Sequence, residues 1–374
     1  MKIKKLVIWH FRNFENISVD LEPGLNLIIG SNGQGKTNFL EAVAAVGNVR
    51  SFRQTNPRKM VRHGEGSFRL EAWVEDSRKK IHLRQVVECS TPVVRSFKIN
   101  GVEVPLERYL IQFPVFTLSS GDTALVSGAP EHRRSFIDRM AFFLDSDHLQ
   151  ELNLYQASLR QRNATLSGEH NSTEMEIWED QLARAAAQVV VRRVRVVDGW
   201  RAVFRSTYEL MRGDGFPDID AIYRMEPDLD GADQEKVAEF YRRRYYENRV
   251  RDRRARFTLD GPHRHDLALK TEGRPVRDVL SAGQVKIVAA AMWLSNLAQV
   301  EERRNERLLV LVDDADAELD DRVFSKLVDV LGHQRQVIMT SAHDRGIGDV
   351  IPKALWWSMI EGKIKRQDSR RGLK

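Results

Sequence analysis

Gly30–Ser31–Asn32–Gly33–Gln34–Gly35–Lys36–Thr37 spells G-x-x-x-x-G-K-T directly after the apolar run Leu25–Ile29. That is the strand–loop–helix order a phosphate-binding loop requires. Its glycines let the backbone curl so that successive N–H groups face phosphate oxygens. Lys36 then reaches the β- and γ-phosphates, and the Thr37 hydroxyl ligates Mg²⁺. Asn38 to Val46 continue as a helix whose N-terminal dipole favours the anion. Gly30, Ser31, Asn32, Gly33, Gln34, Gly35, Lys36, Thr37 and Asn38 are therefore the nucleotide-binding candidates. A second group follows the apolar run Leu308–Val312, which ends in Asp313–Asp314. A strand running parallel to the one that feeds the loop delivers such carboxylates to the metal. Asp313 is placed to hold a magnesium-bound water and Asp314 to orient the attacking water.

These groups need a sheet to bring them together. Ile3–Ile8, Leu25–Ile29, Phe68–Val74, Ile81–Glu88 and Arg95–Ile99 read as short alternating or β-branched strands. Asn100–Gly101 reads as a hairpin turn. From Glu131 to about Leu210 the pattern is helical, and Trp178, Leu182, Ala185, Ala186, Val189, Val190, Arg193, Val197 and Trp200 recur at three- and four-residue steps. Phe240–Arg256 is a further helical block, and Leu308–Val312 and Gln336–Met339 return to strands. The expected fold is α/β: a β-rich nucleotide lobe with a central sheet, interrupted by a mainly helical lobe. The predicted divisions are 1–112 and 305–374 for the nucleotide lobe and 113–304 for the helical lobe. The tail Lys363–Arg371 reads as frayed and basic.

The 374 residues carry 59 basic against 53 acidic side chains, a formal charge of +6. This is a weak pointer to an anionic partner. The single cysteine, Cys89, excludes an internal disulfide and a cysteine-only metal site and fits a reducing compartment. No run of some 18 apolar residues suggests a membrane span, and the apolar stretch at the N-terminus is short for a signal peptide. A cytoplasmic protein is expected.

Leu280–Ser281–Ala282–Gly283–Gln284, about thirty residues before the acidic strand, resembles the L-S-G-G-Q signature of the ATP-binding-cassette class. The resemblance implies that Ser281, Gly283 and Gln284 cradle the γ-phosphate of an ATP bound to a second subunit. It also implies that Asp320 lies on a loop crossing the dimer interface and that His343 is the switch histidine. A glutamine touching Mg²⁺ from the lobe junction belongs to the same pattern, and Gln112 is the nearest candidate. The wide separation of Lys36 and Ser281 fits the chromosome-maintenance and repair branch, in which a helical arm interrupts the ATPase.

Within that branch the chain resembles the RecF family along nearly its whole length. Leu6–Phe14 is similar to the family's L-x-x-x-x-F-R-N-[FY] opening, and Gly30–Asn38 with Leu40–Glu41–Ala42 to its phosphate loop. Ser51–Phe52–Arg53, Arg134–Asp138, Gly261–Arg264 with Asp266, and Leu280–Lys286 match further landmarks. Departures fall at Ser119–Thr123, where the family has P-E-D-L, at Ala255–Arg256 and at His265. The resemblance implies ATP and Mg²⁺ as cofactors, an ATP-dependent homodimer on double-stranded or gapped DNA, and slow hydrolysis. It also implies partnership with RecO and RecR in loading RecA, near the nucleoid.

For DNA contact, Arg242–Arg256 is the densest cationic stretch, with Arg243, Arg244, Arg249, Arg251 and Arg254 as the chosen candidates. A solvated helix with internal ion pairs explains the same residues equally well. Arg133–Arg134 with Arg139 and Arg58–Lys59 with Arg62 are lesser basic groups. Two other functions remain open on the sequence: an ATP-gated scaffold that binds protein partners without DNA, and a small-molecule phosphotransferase.

Overall fold

The computed structural model describes residues 1–49, 51–53, 56–76, 78–168, 172–229, 231–315, 321–332, 334–342 and 354–367. The first part of the chain forms β1 (Lys2–Phe11), β2 (Phe14–Asp20), β3 (Leu25–Ile29), α1 (Lys36–Asn48), β4 (Ser67–Glu75), β5 (Lys80–Glu88), β6 (Val94–Ile99), β7 (Val102–Glu103), α2 (Leu106–Leu110) and β8 (Val115–Leu118). The middle forms α3 (Ala124–Ser127), α4 (Pro130–Leu144), α5 (Asp147–Ser167), α6 (Ser172–Met211), β9 (Asp220–Arg224), α7 (Gln234–Glu247), α8 (Arg249–Ala255), β10 (Asp266–Thr271) and β11 (Arg274–Pro275). The last part forms α9 (Ala282–Arg304), β12 (Leu309–Val312), α10 (Asp321–Leu331), β13 (Val337–Ser341), β14 (Leu355–Ile360) and β15 (Lys363–Gln367).

Two compact units result: Met1–Thr123 with Tyr208–Arg212 and Ala282–Lys374, and Ala124–Thr207 with Gly213–Ser281. The first unit holds two six-stranded sheets. One is antiparallel, in the order β2-β1-β4-β5-β6-β7; the other, β15-β14-β3-β13-β12-β8, is parallel except at β15. Alternation in β4 and β5 turns Phe68, Leu70, Ala72, Ile81, Leu83 and Val87 to one face, where they meet Phe39, Leu40 and Val43 of α1 in a single core. The other side of α1 faces Ile28, Leu309 and Ile338 of the parallel sheet. Four-residue apolar strands such as β12, buried on both faces, are what a parallel sheet covered by helices demands.

The first unit extends past the divisions expected from sequence. Residues 113–123 belong to it because β8 pairs in parallel with β12, and α9 belongs to it because Trp293 packs edge-on against Phe116 at 5.8 Å. The basic tail also differs from expectation. Lys363–Gln367 is a paired strand, with Ile364 opposite Met359 across β14.

The second unit is not wholly helical. β9, β10 and β11 form a three-stranded antiparallel sheet, and α4 packs on β10. The α6 stripe is core, as its spacing predicts: Leu182, Ala185, Ala186, Val189, Val197 and Trp200 are fully buried. The block predicted as one helix over 240–256 is two, broken at Asn248.

Candidate nucleotide-binding site

β3 delivers the phosphate loop and α1 leaves it at Lys36. Gly33 and Gly35 have φ of +83° and +108°, the left-handed region that side chains avoid. Gly35 is also crowded: a Cβ there would lie 2.6 Å from Asn13 Nδ2. The loop is held from outside by the turn that joins β14 and β15. Glu361 N donates to Gln34 Oε1 at 2.5 Å, and Gly362 N donates to the Gln34 carbonyl at 3.0 Å. Lys36 is buried and donates to the carbonyls of Gly30 at 2.6 Å and Ser31 at 3.2 Å, so its ammonium sits across the loop mouth.

Asp313 follows β12, at the same carboxyl end of the parallel strands as the loop. Thr37 Oγ1 donates to Asp313 Oδ1 at 3.1 Å, and Thr340, from β13, donates to the same oxygen at 2.8 Å. Burial pushes the Asp313 carboxyl upward and the Asp314 charge adds to this; the two hydroxyls and the nearby Arg53 charge oppose it. Asp314 lies at φ +46°, a conformation that costs a non-glycine residue on the order of 1 kcal/mol. Its N–H donates to Thr340 Oγ1 at 2.9 Å. Lys36, Thr37, Asp313 and Asp314 are thus gathered at the carboxyl ends of the parallel strands from distant parts of the chain.

Gln112 does not join them. It precedes β8, and β8 runs parallel to β12, so Gln112 lies at the amino end of the parallel strands and Asp313 at the carboxyl end. Its side chain accepts from Lys79 Nζ at 2.8 Å and donates to the Arg108 carbonyl at 3.1 Å. The neighbour of Asp313 on β8 is the strand's other end, where the Leu118 carbonyl accepts from Asp313 N at 2.9 Å. Ser281, Ala282 and Gly283 are exposed where α9 begins, and space around Gly283 is open. Asp320 and His343 lie outside the described residues.

The model for the RecF/RecN/SMC N-terminal domain matches residues 2–354. The DNA replication and repair protein RecF of Heliobacterium modesticaldum is 31% identical over 353 residues, covering 92% of this chain and 93% of that protein. RecF of Symbiobacterium thermophilum is 32% identical, covering 86% of each. The chain belongs to the RecF family. In fold it is similar to the recombination mediator protein RecF solved with ATP, with a TM-score of 0.89 at 23% identity over 98% of this chain and 97% of the other. It is more distantly similar to an Smc head bound to the winged-helix domain of ScpA, with a TM-score of 0.55. The ABC-type ATPase head expected from the signature is the fold observed.

The RecF landmarks have structural work in this chain that motif reading alone does not disclose. Arg12, at φ +54° after β1, forms a two-armed pair with Glu41 of α1 at 2.8 and 2.6 Å, and the Ser51 hydroxyl donates to the same fully buried carboxylate. Asn13 Oδ1 accepts from Asn38 Nδ2 at 2.8 Å, directly behind Gly35. The F-R-N opening, the L-E-A of α1 and the S-F-R segment are therefore one bracket around the loop helix. In the second unit, Arg193 pairs with Asp138 at 2.7 Å and donates to the Pro262 carbonyl at 2.6 Å. His263 Nε2 donates to the Thr258 carbonyl at 3.1 Å, so its Nδ1 accepts from the Tyr155 hydroxyl at 2.5 Å, and burial holds the imidazole down to about 4. His265, a departure from the family's acid, has found Glu226 at 2.7 Å and Tyr223 at 2.9 Å.

Most of the cations first chosen for DNA are engaged by acids. Arg249 is locked to buried Glu179, and Arg244 and Arg251 converge on Asp260. Glu179 is 70 positions from Arg249, and Asp260 stands just beyond the Arg-rich stretch, nine positions from Arg251. Arg243 and Arg254 are exposed and have no ion pair with a described residue. Among the lesser groups, Arg133 is bound by Asp266 and Arg58 by the carbonyls of Cys89 and Ser90.

Proposed function

We propose that this chain is an ATP-dependent DNA-binding protein of replication and recombinational repair, a weak ATPase whose activity DNA stimulates. The observation that carries the nucleotide chemistry is the Thr37–Asp313 hydrogen bond, which spans 276 positions and joins the loop to the acidic strand. These oxygens form a hard donor pair that suits Mg²⁺ held by two protein groups plus phosphate and water. Thr37 and Asp313 would hold the ion, and Gly30–Thr37 with Lys36 would hold the ATP phosphates. ATP with Mg²⁺ supplies a transferable phosphoryl group and neutralises its charge. Lys36 is already desolvated at the loop mouth and gives up two carbonyl contacts to meet an anion. Asp314 sits one residue beyond Asp313 in a backbone conformation fixed by Thr340, and it orients the attacking water.

The exposed Ser281–Gly283 segment supports a site completed by a second copy, with Ser281, Gly283 and Gln284 of one chain closing over the loop of the other. Asp320 and His343 are assigned to the interface loop and the switch by family resemblance. ATP then drives dimerisation on double-stranded or gapped DNA, and hydrolysis resets it. Partnership with RecO and RecR in RecA loading is part of the same reading, supported by the placement of the solved relatives in the RecFOR pathway. Among the described residues no helix is long and apolar enough to cross a membrane; a cytoplasmic, nucleoid-associated protein is proposed. Asp314→Asn should leave ATP binding intact and trap a dimer. Light scattering that finds only monomer with ATP and this variant overturns the composite site.

A further inference from the structure

An arriving phosphate competes with the loop for Lys36, so the curl of the loop must be kept by other groups. The bonds from Lys36 Nζ to the Gly30 and Ser31 carbonyls are those that an anion displaces. The backbone bond left within the loop, from Gln34 N to the Ser31 carbonyl, is long at 3.4 Å. The stronger restraints come from two flanks. On one, Glu361 and Gly362 have φ of +47° and +74°, the left-handed pair of a two-residue type I′ turn. Such a turn gives neither of these N–H groups an acceptor inside the hairpin. Gln34 supplies both, its Oε1 for Glu361 at 2.5 Å and its carbonyl for Gly362 at 3.0 Å. On the other flank stands Asn13, between β1 and β2. Its amide fills the room that two glycines leave: a Cβ at Gly35 would lie 2.6 Å from Nδ2, and one at Gly362 would lie 3.0 Å from it. Its Oδ1 accepts from Asn38 Nδ2, in the first turn of α1, at 2.8 Å. Asn13 is thus wedged among the phosphate loop, the loop helix and the β14–β15 turn, while remaining exposed.

We propose that Asn13 and the Gln34 side chain are positioning residues for the nucleotide, holding Gly33–Thr37 in the phosphate-binding curl before ATP arrives. The inference rests on the ATP-binding reading above and names side chains that set affinity without touching phosphate. A glycine-rich loop has more backbone freedom to lose than any other segment. If the loop were slack, ordering it would be charged against the binding of each nucleotide. Held from both flanks, it has lost that freedom already on folding. The effect belongs to binding more than to the fold. Asn13 is exposed and its one bond to Asn38 is open to water, so global stability depends on it little. The N–H groups that it helps to aim serve the α- and β-phosphates. ADP and ATP share those groups, so both should feel the loss of Asn13 equally. The hydrolytic step, which uses Lys36 and Asp314, should not.

The test is isothermal titration of the full-length protein with MgADP and with MgATP, beside thermal unfolding without nucleotide. Asn13→Ala should raise both dissociation constants by the same factor, about fivefold, with an unfolding midpoint like that of wild type. Steady-state hydrolysis should show the change in KM and not in kcat. Gln34→Met keeps the side-chain length, removes the Oε1 acceptor and should weaken both nucleotides to a similar extent. Asn38→Ala removes the other half of the Asn13 bond. Asn13→Ala/Asn38→Ala should therefore bind no more weakly than the weaker single variant. Wild-type protein that binds neither nucleotide overturns both these roles and the function they rest on. Wild-type protein that binds, with Asn13→Ala and Gln34→Met of unchanged affinity, overturns the positioning roles alone. So does a loss confined to ATP, a fall in kcat at unchanged KM, or a loss of affinity seen only with a lowered unfolding midpoint.

Discussion

The Thr340 hydroxyl donates to Asp313 Oδ1 at 2.8 Å and, through the same oxygen, accepts the N–H of Asp314 at 2.9 Å. One side chain on β13 thus sets both carboxylates that follow β12. Thr340→Val keeps the shape and removes both bonds. Stability should fall by about 1–2 kcal/mol, and the Mg²⁺ concentration for half-maximal ATP hydrolysis should rise several-fold, with Thr340→Ser restoring both. A magnesium titration unchanged in the valine variant would show that Thr340 does not position Asp313.

Asp313 gives a pH signature. Its carboxyl is held above the usual carboxylate range, chiefly by burial, so its contribution to stability is present at low pH and lost as pH rises through the raised value. At neutral pH the ionised group is therefore a cost to the ligand-free fold. Asp313→Asn should unfold at a higher temperature than wild type at pH 7.5, without nucleotide or Mg²⁺, and the gain should vanish below about pH 4. A variant less stable than wild type at pH 7.5 contradicts this assignment.

The two left-handed glycines of the loop should not respond alike. Gly33 has open space where a Cβ would go, so Gly33→Ala bears only the backbone cost of about 1 kcal/mol. Gly35→Ala adds a collision with Asn13 and must displace either the loop or the β1–β2 turn. Urea unfolding and ATP titration should both rank Gly35→Ala as the more damaging by a clear margin.

In the arm, Arg249→Ala leaves Glu179 buried with Arg162 as its remaining cation, and should cost about 1–3 kcal/mol. Arg243→Ala and Arg254→Ala, on exposed side chains, should stay within about 0.5 kcal/mol of wild type. Equal losses for all three in chemical denaturation would mean that the Glu179 pair contributes nothing special.

How much could be read beforehand follows from the range of each interaction. Gly30–Thr37 and Asp313–Asp314 were legible because a phosphate loop and a strand-end acid pair each carry their chemistry within a few residues. The Asn100–Gly101 turn was legible for the same reason, and its φ values of +50° and +83° fit a type I′ hairpin. Gln112 was misplaced because proximity to a strand does not say which end of it faces the site; the pairing of β8 with β12 decides that. The arginine stretch read as a DNA helix because Glu179 and Asp260, which engage it, come from α6 and from beyond α8. β15 was hidden because Lys363–Ile364–Lys365–Arg366–Gln367 has a single apolar residue to mark its inner face.

The bonds from the β14–β15 turn to Gln34 bind residues 327 positions apart. They also make the phosphate loop a late product of synthesis. β3 is the sheet strand that feeds it, and both its neighbours, β13 and β14, come from the last part of the chain. A ribosome has therefore translated the loop long before it has made the strands that flank it or the turn that braces it. Nascent chains should bind no nucleotide until the β14–β15 hairpin emerges, so a half-made subunit has no finished loop to offer ATP.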